Sequence, residues 1–216
     1  MAMPGWGAVI LAAGAARCFG APKMLAMLDG VPVIRRTAEA VVAAGFDDVV
    51  VAAGAQYAAI AEALFGLDCR AIEAPDWEEG IAASIRAGSA ALEAVDRGMF
   101  LFLGDMPLVP IALCVPLAAL AEASGYAARP SVSGKPGHPV CFVRSAMADL
   151  AMLHGDGGAA AMLRRKDVAY LPTDDSGALL DIDAPDDLAA AERAWKSRTT
   201  SATSDSAISR GALPKP

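Results

Sequence analysis

Cysteine is scarce in this chain. Of 216 residues only four are cysteine, and Cys18, Cys69, Cys114 and Cys141 show no C-x-x-C spacing. That excludes a short disulfide framework and points to a reducing, cytoplasmic compartment. Cys69, Cys114 and Cys141 sit in apolar contexts and read as small core residues. No apolar run approaches the length of a membrane span. The N-terminus lacks a charged n-region, so its apolar stretch is expected to be a strand and not a signal peptide. Basic excess is missing too: the net charge is −7, which argues against a nucleic-acid partner. Neither of the common phosphate signatures occurs, neither G-x-x-x-x-G-K-[ST] nor G-x-G-x-x-G.

What is present is a globular composition, 55% hydrophobic and 20% charged, long enough for one α/β domain with a sizeable core. Strand and helix patterns alternate along it. Ala8 to Ala13, Val49 to Ala53, Cys69 to Ile72, Met99 to Leu103 and Pro139 to Val143 read as strands. Helices are expected before Gly45, over Glu79 to Val95, Ala112 to Ala123 and Ala159 to Arg165, and from Asp186 to Trp195. This alternation predicts a single Rossmann-like, three-layer domain with a mostly parallel sheet. The composition turns to Ser, Thr and Ala after Lys196. The domain is therefore placed at 1–196, and 197–216 is expected to be a disordered tail.

Several segments carry chemistry-bearing residues. The first strand ends in Gly14 and runs into a loop of small residues with Arg17 and Lys23. Backbone N–H groups of such a loop approach phosphate closely, and the two cations suit a polyphosphate. Phe102-Leu-Gly-Asp-Met-Pro107 delivers Asp105 at the carboxyl end of the strongest strand, where α/β sheets bind ligands. Asp105 reads as a Mg²⁺ ligand or as a cap on the next turn. In Asp181-Ile-Asp-Ala-Pro-Asp-Asp-Leu188, Ile182 is expected to point inward, with Asp181 and Asp183 on one face. Asp183 reads as a metal ligand or an N-cap; Asp186 and Asp187 read as favourable first-turn charges. Gly80 and Ser84 lie i, i+4 on one helix face, whose N-terminus offers a dipole and a hydroxyl to a nucleotide, or simply packs closely. Trp77 reads as a packing anchor.

Taken together, these segments resemble the MobA-like nucleotidyltransferases. Leu11, Ala12, Ala13, Gly14, Gly20 and Lys23 match the signature Leu-Ala-Ala-Gly-x-x-x-Arg-x-Gly-x-x-Lys. Cys18 stands at the family arginine, and Arg17 one place early is expected to take its role. Gly-Asp-Met-Pro, Asp-Ile-Asp-x-Pro-x-Asp-Leu and the Trp77–Ser84 segment follow in the family's order. Gly134-Lys-Pro-Gly-His-Pro-Val140 is similar to the segment of molybdenum cofactor cytidylyltransferases, and His154-Gly-Asp-Gly-Gly158 to the family's Gly-Asp-x-Gly.

The resemblance implies the nucleotide-diphospho-sugar transferase type of fold. It implies transfer of CMP from CTP to the terminal phosphate of molybdenum-molybdopterin with release of pyrophosphate. Alternatives are a guanylyl- or sugar-phosphate nucleotidyltransferase, or a nucleotide-binding accessory protein with weak catalysis. Lys23 and Asp105 are the implied catalytic residues. Leu11, Ala12, Ala13, Gly14, Arg17, Lys23, Gly80 and Ser84 are expected to hold the nucleotide. Asp105 and Asp183 are expected to hold Mg²⁺, and His138 and Asp156 to meet the acceptor. A molybdoenzyme or its chaperone is the implied protein partner; no nucleic acid or membrane is.

Overall fold

The computed structural model describes residues 2–13, 22–93 and 95–208. A mostly parallel central sheet is flanked by helices in a single α/β domain. The elements are β1 (Met3–Ala12), β2 (Met27–Leu28), β3 (Val31–Pro32), α1 (Val33–Ala43), β4 (Phe46–Ala53), α2 (Tyr57–Ala63), β5 (Arg70–Glu73), α3 (Ile81–Ala91), β6 (Gly98–Leu103), α4 (Cys114–Ser124), β7 (Ala127–Val132), β8 (Lys135–Pro136), β9 (Val140–Val143), α5 (Met147–Ala151), α6 (Ala160–Leu163), β10 (Val168–Pro172) and α7 (Pro185–Ile208).

The main sheet has the order β10-β7-β9-β6-β1-β4-β5, with β8 attached to β7. β1 is parallel to both β4 and β6, and β9 alone runs against its neighbours β6 and β7 along that path. The chain first winds outward from β1 through β4 to β5. It then returns to lay β6 on the other flank of β1. The strand order thus reverses between β1 and β6, and a crevice opens at their carboxyl ends, where open α/β sheets bind ligands.

Continuous apolar runs make the central strands, because both faces of a parallel strand are covered. Ala8, Val9 and Ile10 are fully buried, as are Phe100 and Phe102 of β6. One close approach sets the position of α3. A Cβ on Gly88 would lie 2.4 Å from Val9 Cγ1, so only glycine lets the helix seat on β1. Gly88→Ala is expected to destabilise the domain by about 1–3 kcal/mol through overpacking, read as a lowered denaturation midpoint. A wild-type midpoint would show that the helix can yield.

The structure departs from the sequence reading at several elements. The sequence patterns do not predict β2, β3, β7, β8, β10, α2 or α5. α2 is an alanine-rich turn of helix with little amphipathic contrast, and β7 carries Pro130, which reads against a strand. The helix expected over Glu79 to Val95 spans only Ile81–Ala91. The closing helix does not stop at Trp195 but continues to Ile208. Arg198 donates to the Leu108 carbonyl at 2.8 Å and to Asp175. These bonds tie the helix to the sheet domain at Arg198.

Candidate functional site

Three side chains far apart in sequence meet at Lys23, and two of them, Lys23 and Asp105, line the crevice. Lys23 opens a short 3₁₀ turn, Lys23–Leu25. Its Nζ donates to Asp105 Oδ2 and to Asp183 Oδ1, each at 2.6 Å. Lys23 and Asp105 are nearly shut off from solvent, with side chains 13% and 12% exposed, whereas Asp183 is 68% exposed. Burial pulls the Lys23 pKa down, but the hydrogen bonds and charges of the two aspartates outweigh it and leave it above the usual lysine value. The ammonium is therefore charged throughout the neutral range.

Each partner is delivered by its own device. Asp105 follows β6 through Gly104, whose N–H donates to the Leu11 carbonyl at 2.9 Å. A Cβ on Gly104 would lie 2.8 Å from Ile34 Cδ1 and 2.9 Å from that carbonyl. The close approach of the two strand ends thus requires glycine here. Asp183 comes from the strap between β10 and α7. Ile182 is fully buried, in a small cluster with Leu28, Val33, Leu108 and Ala191, and its N–H donates to the Asp105 carbonyl at 3.1 Å. The inward Ile182 therefore leaves Asp183 facing outward, where it reaches Lys23 although it is not part of the cavity lining. Asp181 lies close enough to feel the cluster: burial, then the charges of Asp183 and Asp105, push its pKa up.

The crevice is a cavity of about 690 Å³ lined by Leu11, Ala13, Lys23, Gly80, Ser84, Asp105 and Asp156 among others. Ala12, between Leu11 and Ala13, is buried in the sheet instead. Gly80 caps α3 with φ of 110° and stands in the lining with Ser84. Ser84 is 1% exposed and its Oγ has no partner, so a buried hydroxyl stands available in the first turn of α3. Asp156 presses on the same helix end. A Cβ on Gly80 would meet its Oδ1 at 2.1 Å, and Gly155 accepts from the Ala82 N–H. An acidic group at a helix N-terminus is favoured by the dipole, so Asp156 has a structural role whatever else it meets.

Gly14, Arg17 and Cys18 lie outside the described residues. His138 does not line the cavity. Its N–H donates to the Ala178 carbonyl, and its half-buried ring keeps Nδ1 shielded and without a partner. Burial and then the Arg129 charge push its pKa down to about 4, against a hydrogen bond to the Leu101 backbone. The ring is thus neutral at physiological pH. Because its folded pKa is below the ordinary value, its contribution to stability is complete above about pH 6.5 and is lost as pH falls toward 4. Such a shift corresponds to at most about 3 kcal/mol. Urea titrations at pH 7.5 and 4.5 should show wild type losing more stability than His138→Gln; equal losses would refute a ring kept neutral by the fold.

Met24, Glu78, Ile81 and Leu103 also stand in the lining, without a motif in the sequence to mark them. Leu103 shares the strand-end position of Leu11, its partner in register, and that pairing was not legible without the sheet order. Trp77, expected to be a packing anchor, does pack: a Cβ on Gly54 would lie 2.8 Å from its ring. It lines the crevice as well.

The donor set fits a divalent cation. Asp105 Oδ1 is buried without a partner, and Asp183 presents an exposed carboxylate beside it. No group of three or more His, Cys, Asp or Glu suited to a metal occurs among the described residues. Two carboxylates are what Mg²⁺ takes when substrate phosphates and water complete its shell. No described helix is long and apolar enough to cross a membrane.

A lysine, two carboxylates and a helix N-terminus at a switch point suit an α/β protein that handles a phosphorylated ligand with a cation. The profile of the MobA-like NTP transferase domain matches residues 8–170. The chain belongs to that family and is a nucleotidyltransferase. Rv0371c from Mycobacterium tuberculosis H37Rv is 30% identical, with a TM-score of 0.75, covering 87% of this chain and 97% of that one. A second structure of Rv0371c, in complex with manganese, is 29% identical over 84% of this chain and 95% of that one, with a TM-score of 0.68. Molybdopterin-guanine dinucleotide biosynthesis protein A from Archaeoglobus fulgidus shares the fold at 22% identity and a TM-score of 0.68, covering 88% of this chain and 99% of that one. No curated protein matches the chain.

Proposed function

We propose that this nucleotidyltransferase moves CMP from CTP to the terminal phosphate of molybdenum-molybdopterin and releases pyrophosphate, the product passing to a molybdoenzyme or its chaperone. The observation that carries the transfer reading is the convergence of Asp105 and Asp183 on Lys23 at the crevice. The cytidylyl and molybdopterin assignments rest on the Gly137-His-Pro-Val140 resemblance.

A phosphate monoester is largely dianionic at neutral pH, its second pKa being about 6. It needs no general base, only alignment and charge neutralisation. Asp105 and Asp183 are the residues that would hold Mg²⁺. That ion supplies neutralisation of the charge on the reacting phosphate oxygens. Lys23 exchanges its aspartate partners for the phosphates that leave as pyrophosphate, and stabilises the charge gathering there. The α3 N-terminus and the Ser84 hydroxyl supply donors to the nucleotide. Leu11 and Ala13 offer backbone groups to the base. The manganese in the Rv0371c structure supports a divalent cation in the role of Mg²⁺.

A pyrophosphate-release screen of the four ribonucleoside triphosphates against molybdopterin and sugar phosphates tests the reading. CTP with molybdopterin should give the strongest signal. A preference for GTP or for a sugar phosphate overturns the cytidylyl assignment but leaves the transferase. Binding of CTP without pyrophosphate from any acceptor overturns the transfer reading.

A further inference from the structure

Asp183 precedes the first turn of α7, a place where an aspartate ordinarily turns its carboxylate onto helix amides. Here it does not: Asp183 Oδ1 accepts from Lys23. The Asp187 carboxylate instead reaches back to the two residues that lead into the helix. Its Oδ2 accepts from the Asp183 N–H at 3.1 Å and from the Ala184 N–H at 2.8 Å. In return the Ala184 carbonyl accepts from the Asp187 N–H at 3.1 Å and the Leu188 N–H at 3.3 Å. Ala184 has no side-chain oxygen and Pro185 no N–H. The carboxylates at this helix end are thus those of Asp183, Asp186 and Asp187, and Asp187 holds the N–H groups of Asp183 and Ala184. On its other side, Asp183 is tied down by the buried Ile182, whose N–H is bonded to the Asp105 carbonyl.

We infer that Asp187 is a positioning residue for the reaction: by bonding the Asp183 and Ala184 N–H groups, it anchors the Asp183 backbone with its carboxylate turned to Lys23. Asp187 is therefore more than a first-turn charge favouring the dipole. Asp186, in the same turn, carries the same charge, and it has no bond to Asp183 in the structure. The inference rests on the proposed nucleotidyl transfer with Asp183 as a metal ligand. Without Asp187, the Asp183 backbone loses the bond to its N–H, and its carboxylate is no longer held at Lys23.

The experiment compares wild type with Asp187→Ala, Asp187→Asn and Asp186→Ala. The readouts are Mn²⁺ affinity in the presence of CTP by electron paramagnetic resonance, kcat and KM for CTP, and melting temperature. Removing an outer partner of a metal ligand typically costs roughly 10–100-fold in metal affinity or activity. Asp187→Ala should therefore weaken Mn²⁺ and lower kcat by that order, with KM for CTP little changed. Asp187→Asn keeps an acceptor oxygen and should restore both. Asp186→Ala should shift melting alone. Wild-type metal affinity and kcat in a folded Asp187→Ala overturn the inference and leave the transfer reading standing. So does a loss of the same size in Asp186→Ala. A wild-type protein that binds no Mn²⁺ with CTP overturns both.

Discussion

Asp105→Asn should lose at least about a hundredfold in turnover while remaining folded. The substitution keeps the shape of the side chain and the backbone carbonyl that receives the Ile182 N–H. What it removes is the charge on a nearly buried carboxylate, one of whose oxygens is otherwise without a partner. A bound cation contributes several kcal/mol of transition-state stabilisation, and each factor of ten in rate corresponds to about 1.4 kcal/mol. Pyrophosphate release and circular dichroism on the same preparation check the result. Near-wild-type turnover in the folded variant would remove Asp105 from the metal site.

Lys23→Met should change two affinities in opposite directions. Loss of a charge-assisted phosphate contact, worth roughly 1.5–3 kcal/mol, should weaken CTP by at least about tenfold. The same change removes the cation that bonds Asp105 and Asp183. Two neighbouring carboxylates then face each other without a counter-charge, and a divalent cation relieves that repulsion. Mn²⁺ alone, without nucleotide, should therefore bind the variant more tightly than wild type. Calorimetry with CTP and with Mn²⁺ separately reads both signs. Unchanged CTP affinity would exclude Lys23 from the triphosphate, and unchanged or weaker Mn²⁺ binding would show that the lysine does not compete for the carboxylates.

Much of the site was legible because its motifs are local. A glycine-ended apolar strand, Gly-Asp-Met-Pro after a second strand and an aspartate pair around an inward isoleucine are each readable within a few residues. The competition at Asp183 was not. Where the Asp183 carboxylate turns depends on what holds its backbone, and the sequence marks Asp187 only as a first-turn charge, not as the acceptor of the Asp183 N–H. His138 stood within a matching motif, yet its backbone is bonded to Ala178 and its ring is shielded. That outcome depends on a strap from a distant segment. The missed strands β7 and β10 fail for a related reason. Their residues are ordinary for an edge region, and only pairing with β9 and with each other makes them strands.

The Lys23 bridges span 82 and 160 residues of sequence, which makes the site a late event in the life of the chain. A loop's closure entropy grows only slowly, about 0.6 kcal/mol for each doubling of its length. Distance along the sequence therefore costs little once the fold exists, but it fixes the order of assembly. As the chain emerges from its N-terminus, β1 through β9 are available to one another before the strap bearing Asp183 has been made. A fragment ending ahead of that strap retains the segments of the central strands yet lacks one of the two carboxylates at Lys23. On the proposed reading, in which Asp183 holds the cation, such a fragment would lack part of the cation site however well its central strands packed.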